Sequence, residues 1–182
     1  MTRVGKATEG FEALPEKDVL ALMREARAAG RDGIARKVQP VDARPARQGE
    51  VVVTTIAGEG QETLSRPAEP GDMVVRSRSA ETGNECYLVN ATAFAERYEG
   101  PPGAADGWQV YRPKGKSVRF TILRPADGSF RFAAPWGEPM IARPGDALVQ
   151  DPADCRDIVR VAAKAFAATY EVVAPAGCDG RQ

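Results

Sequence analysis

Two copies of one phrase constrain this chain more than anything else in it: "PGDMVVRS" at 70–77 and "PGDALVQD" at 144–151. Proline at the second position of a turn presets φ, and glycine at the third accepts the positive φ of a type II turn. The aspartate that follows can then bond nearby backbone amides as a strand begins. The surroundings repeat as well. "VVVTTI" (51–56) aligns with "VRFTIL" (118–123), and "VNATAFAERYE" (89–99) with "VAAKAFAATYE" (161–171). Phe94 and Phe166 stand 72 residues apart, as do Tyr98 and Tyr170, whereas Pro70 and Pro144 stand 74 apart. A turn-strand-strand-helix unit of this size leaves an apolar sheet face open, and two copies can bury those faces together. The expected fold is therefore α+β. An N-terminal helix and basic connector fill 1–49, a first β-rich repeat fills 50–99, and a second fills 108–173, with one shared core.

Local patterns fill in that outline. "PEKDVLALMREARAA" (15–29) predicts an amphipathic helix, with Pro15 in its first turn and Gly30 at its stop. Val19, Leu22, Met23 and Ala26 recur at helical spacing on one face. "RDGIARKVQPVDARPARQG" (31–49) reads as a charged, solvated connector, because no aromatics interleave its basic residues for base stacking. "EVVVTTI" and "QETLS" form a hairpin through "AGEG", and "DMVVRS" and "ECYLV" are further strands. "GPPGAADG" (100–107) is a linker. Beyond it, "SVRFTIL" is expected to pair with "SFRFAA" across "ADG". Phe94 and Tyr98 lie four apart in a short helix, as do Phe166 and Tyr170, so each pair shares a face and belongs in the core.

Composition narrows the chemistry. The 182 residues suit one compact domain or two small ones. Lysine plus arginine equals aspartate plus glutamate at 25 each, so no overall charge draws the chain to nucleic acid or membrane. No apolar run is long enough to span a bilayer. The opening "MTRVGKATEGFEALPEK" has no apolar secretory core, and a cytoplasmic location is expected. Histidine is absent, which removes Ser-His and Cys-His nucleophile activation from this chain. Cys86, Cys155 and Cys178 form no Cys-x-x-Cys pair. No cofactor and no metal centre are expected.

The turn with its β-branched strand, followed by a helix ending "F-A-x-x-Y-E", resembles the bacterial and phage PGDYG-motif family. The resemblance covers about 51–99 and again 118–171, with Met73-Val74 and Ala147-Leu148 at the fourth and fifth motif positions. It implies the fold of that family and no established activity. "APWGEPMIARPGDALVQD" (134–151) is also similar to a phrase of repressor-type and signal-peptidase-type serine peptidases. Pro139 occupies the nucleophile position there, so Lys164 has no serine to activate.

Polar features confined to one copy mark where a site would sit. The first copy carries "GEGQET" (58–63) and "ETGNE" (81–85), with Arg66, Arg76 and Arg78, whereas Gln150 stands in the place of Arg76. Glu59, Glu62, Glu81 and Glu85 on two loops could converge on a hard cation or do acid–base work. Strand alternation puts Arg76 on the face of Asp72 and Val74, leaning toward Asn84 and Glu85, where a carboxylate would hold its planar fork. Cys86 is expected as a buried free thiol, and Trp136 as an aromatic at a cleft, a partner surface or a packing contact. "RPKGKS" (112–117) lacks the glycine run of a phosphate loop. The candidate ligand-binding set is Glu62, Arg76, Asn84, Glu85 and Trp136. The expected function is a non-catalytic accessory or binding protein, with an unknown protein or small molecule as partner. The alternative is a carboxylate- or metal-dependent enzyme acting on a small polar or phosphorylated substrate.

Overall fold

The computed structural model describes residues 13–58, 60–101 and 107–175. In chain order these form α1 (Val19–Ala28), β1 (Gly33–Lys37), β2 (Val41–Pro45), β3 (Val53–Ile56), β4 (Gly60–Leu64), β5 (Met73–Arg76), β6 (Cys86–Val89) and α2 (Ala91–Arg97). They continue with β7 (Tyr98–Glu99), β8 (Gln109–Pro113), β9 (Ser117–Ile122), β10 (Phe130–Ala133), β11 (Pro139–Ala142), β12 (Ala147–Asp151), β13 (Asp154–Val161), α3 (Ala163–Thr169) and β14 (Tyr170–Ala174). The fold is mixed α+β with mostly antiparallel sheets. No helix among the described residues is long and apolar enough to cross a membrane. Two compact units share the chain. The residues up to Ile34, Val118–Ala163 and those from Ala174 form the first, and Ala35–Ser117 with Lys164–Val173 form the second.

In the first unit, α1 begins at Val19, four residues later than the Pro15 signal predicts. Asp18 caps it, its carboxylate accepting from the Leu20 and Ala21 amides at 2.9 and 3.1 Å. Pro15 and Lys17 are instead tied to β10: the Arg131 amide donates to the Pro15 carbonyl, and the Lys17 amide to the Arg131 carbonyl. The stop falls at Gly30, where φ is +65° and the Arg31 amide closes on the Ala26 carbonyl at 2.7 Å. Met23 packs into a core with Leu123, Phe130, Phe132, Leu148 and Ile158. Strand β12 lies between β13 and β9, antiparallel to both. The predicted pairing of 117–123 with 129–134 does not form. Instead, Arg124 and Asp127 close a short 3-10 turn after β9, and β10 pairs with β11.

The second unit holds a five-stranded sheet in the order β6-β5-β2-β8-β7. The stretch read as a solvated connector supplies its central strand. Val41 and Ala43 point inward and are buried, while Asp42 and Arg44 alternate outward. β2, rather than the stretch 51–56, therefore lies beside β5, with Asp42 opposite Arg76. The hairpin of β3 and β4 forms as a separate two-stranded element. Asn90 caps α2 through the Ala93 amide. Phe94 and Tyr98 are buried and stack at 5.1 Å, and Tyr111 meets Phe94 edge-on at 4.9 Å. Phe166 is also buried and stacks on Tyr170 at 5.0 Å, with Tyr170 half-buried.

Both Pro-Gly-Asp turns have the geometry their residues dictate. The Asp72 amide donates to the Glu69 carbonyl and the Asp146 amide to the Arg143 carbonyl, both at 3.1 Å. Gly71 and Gly145 sit at φ +90° and +92°, a region that costs an L side chain strain. Each aspartate carboxylate reaches back to the first amide of its own turn, at 2.9 Å from Glu69 and 2.8 Å from Arg143. Both aspartates are buried, and each has an arginine partner at 2.7 Å.

Candidate ligand-binding face

The outward side of β5, β2 and β8 in the second unit gathers charge around one exposed indole. The register sets Arg76, Asp42 and Val110 in a row, and Arg44 follows two residues along β2. Trp108, just before β8, is 39% exposed, and the Arg76 guanidinium lies 4.2 Å from its ring centroid. Arg44 approaches the same ring at 5.2 Å. A guanidinium over an indole is held by the ring's negative face while its N–H edge stays available.

The three arginines differ in how far they are already engaged. Arg44 is gripped by Glu50 in a two-pronged pair at 2.5 and 3.0 Å. Its hydrogen bonds are the main reason the Glu50 carboxyl falls from 4.5 to about 2. Arg78 donates to Asp42 at 2.8 Å, and this bond, opposed by burial, holds the Asp42 carboxyl below its usual range. Arg76 sits 3.6 Å from the same carboxylate, beyond normal hydrogen-bond length. Among the described residues its N–H groups meet no closer acceptor. Beside Arg76 on the same face, Cys86 is half-buried rather than fully buried, and burial pushes its thiol up despite Arg76 and Arg44 nearby, so the thiol is not activated. An open groove of about 650 Å³ adjoins Val110, lined also by Glu99, Gly100, Pro101, Gln109 and Arg112.

The residues singled out from sequence are only partly gathered here. Arg76 is at the centre, but its carboxylate is Asp42, not Glu85. Glu85 accepts instead from the Thr82 hydroxyl, and Asn84, at φ +54°, donates to the Ser77 carbonyl at 3.1 Å. Those bonds close the 79–85 loop on itself. Glu62 falls on β4, and its side chain, like all of Glu59, lies outside the described residues. Glu81 is exposed in the 3-10 turn Ala80–Thr82. Trp136 belongs to the first unit, 45% exposed in the turn between β10 and β11. No group of acids and cysteines able to hold a metal ion occurs among the described residues. Asp42, Arg44, Glu50 and Trp108 escaped the sequence reading. The available signal was the alternation "VDAR", in which small inward residues hid a strand.

No protein-family model matches the chain, and neither a curated protein nor a solved structure matches it.

Proposed function

We propose that this protein is a non-catalytic binding protein that captures an anionic group on the face formed by Arg76, Arg78 and Trp108. The carrying observation is Arg76, its guanidinium 4.2 Å from the centroid of an exposed indole, 3.6 Å from its nearest carboxylate and otherwise uncommitted among the described residues. An incoming carboxylate or phosphate can take two of its N–H groups at once, which a lysine could not offer. Trp108 and Val110, both exposed, supply apolar surface for the rest of the ligand. The repeated turn, strand pair and Phe-Tyr helix support a duplicated organisation related to the PGDYG-motif family. In it, both copies keep the scaffold and the first carries the arginines that meet the anion, Arg76 and Arg78. Register gives Gln150 the position of Arg76, and its amide is spent on the Cys155 carbonyl at 2.8 Å.

The test uses Trp108 as its own reporter. The chain has two tryptophans, so Trp136→Phe leaves one. In that background, benzoate, phenyl phosphate and inorganic phosphate should each be titrated against the indole emission. A saturable change that disappears with Arg76→Lys is expected. An identical response in both proteins, or none for any of the three, contradicts the assignment.

A further inference from the structure

The second unit encloses a cation with no carboxylate beside it: Lys37 and Tyr87 are half-buried and Tyr98 is buried. The Lys37 ammonium lies 2.8 Å from the Tyr87 hydroxyl and 2.7 Å from the Tyr98 hydroxyl, and those two hydroxyls are 3.2 Å apart. Among the described residues no acid pairs with the ammonium.

Counting protons exposes the problem. An ammonium has only donors, and each phenol has one proton to give. If all three groups are in their ordinary states, Lys37 donates to both oxygens and one phenol donates to the other. The last phenolic proton then has no acceptor among the described residues. An unsatisfied donor beside an uncompensated and partly desolvated charge is costly. Removing that proton resolves both faults at once. Tyr98 oxygen then accepts from Lys37 and from Tyr87, and its negative charge balances the ammonium.

We propose that Lys37, Tyr87 and Tyr98 form an enclosed triad that gives up one proton more readily than its parts would in water, with Tyr98 becoming the phenolate. Two directions of shift agree with it. Burial alone raises Tyr98, but the Lys37 charge and hydrogen bond, the Tyr87 hydroxyl and the Arg97 charge outweigh it and bring the phenol below its usual value. Burial, opposed by Lys37, drives Tyr87 upward, so Tyr87 keeps its proton. Burial works against the Lys37 charge, yet the phenols of Tyr87, Tyr98 and Tyr170 hold its value well above the usual one. The charged and titratable groups facing the triad are thus Tyr170 from β14 and Arg97 from the end of α2.

Tyr98 is an acid with a depressed folded value, so its contribution is full above about 10, the unfolded tyrosine value, and fades as pH falls through the lowered one. Lys37, with a raised value, contributes below its unfolded value of about 10.4 and fades only as pH rises through the folded one. Because Phe94 stacks on Tyr98, the protonation state of Tyr98 acts on the docking of α2.

Tyrosinate absorbance of the native protein, followed from neutral to alkaline pH, tests this. One of the four tyrosines should ionise before the ordinary range, and Tyr98→Phe should remove that early step while Tyr111→Phe keeps it. NMR of the wild-type protein labelled at tyrosine Cζ reads the same event without any substitution. One resonance should move at lower pH than the rest. The absence of an early-titrating tyrosine in the wild type, or its survival in folded Tyr98→Phe, overturns the proposal.

Discussion

The two Pro-Gly-Asp turns share a backbone and differ in who neutralises them. In the second unit, Asp72 is met by Arg66, which arrives from the loop after β4 and is about one-third exposed. In the first unit, Asp146 is met by Arg160 from within β13, whose side chain is fully buried. Asp146 also receives the Ala163 amide at 3.2 Å, so the same carboxylate joins turn, strand and helix start. Register places Leu88 of β6 where β13 has Arg160, since each lies opposite the second residue of its partner strand. The turn is thus a local property of three residues. Its counter-charge is a tertiary solution, reached from a different element each time.

That difference orders the expected effects. Arg160→Met leaves Asp146 buried with no cation and should lower stability by about 3–5 kcal/mol in chemical denaturation. A loss below about 1 kcal/mol would make the two turns energetically alike. Next come the glycines. Gly71→Ala and Gly145→Ala both force a side chain into positive φ, at a cost of about 1–3 kcal/mol. The alanine methyl at 71 would also meet the Ala91 Cβ at 3.2 Å, against 4.0 Å for 145 and Ala163, so Gly71→Ala should be the worse of the two. The reverse order in thermal melts would show that the α2 junction yields more easily than the α3 junction. Arg66→Met should cost less, about 1–2 kcal/mol, because Arg66 is about one-third exposed and water reaches its end of the pair, although Asp72 is buried. The smallest effect is pH-dependent. Glu50, lowered from 4.5 to about 2, contributes stability that is complete above its unfolded value and lost as pH falls through about 2. Acid titrations of wild type and Arg44→Met should run parallel above that interval, with Arg44→Met the less stable, and converge as pH falls through it.

What the sequence made legible was whatever depended on neighbours along the chain. The two turns, the β3–β4 hairpin, the short helices and the Phe-Tyr stacks all rest on spacings of two to five residues. What it hid depended on partners far away. Residues 31–49 carry five arginines and lysines, and so resembled a connector. Yet Ala35, Val41 and Ala43 are small enough to fill a packed interior beneath them. Strand β9 pairs with β12 instead of the adjacent β10, and no local signal distinguishes those choices. The candidate site shows the same division. Arg76 could be placed on a face by alternation, whereas Asp42 and Trp108 reach it only through strand order. Asn84 and Glu85, the nearer candidates in sequence, are consumed in closing their own loop.

The claim that the arginines meeting the anion reside in one copy and scaffolding in both is tested most directly by paired calorimetry. Phenyl phosphate should be titrated into wild type, Arg76→Lys and Gln150→Ala, with circular dichroism confirming that all three are folded. Arg76→Lys should weaken binding at least about tenfold, the loss of about 1.4 kcal/mol expected for one charge-assisted hydrogen bond. Gln150→Ala should bind as wild type does. Equal affinities across the three proteins, or a loss confined to Gln150→Ala, would contradict the account.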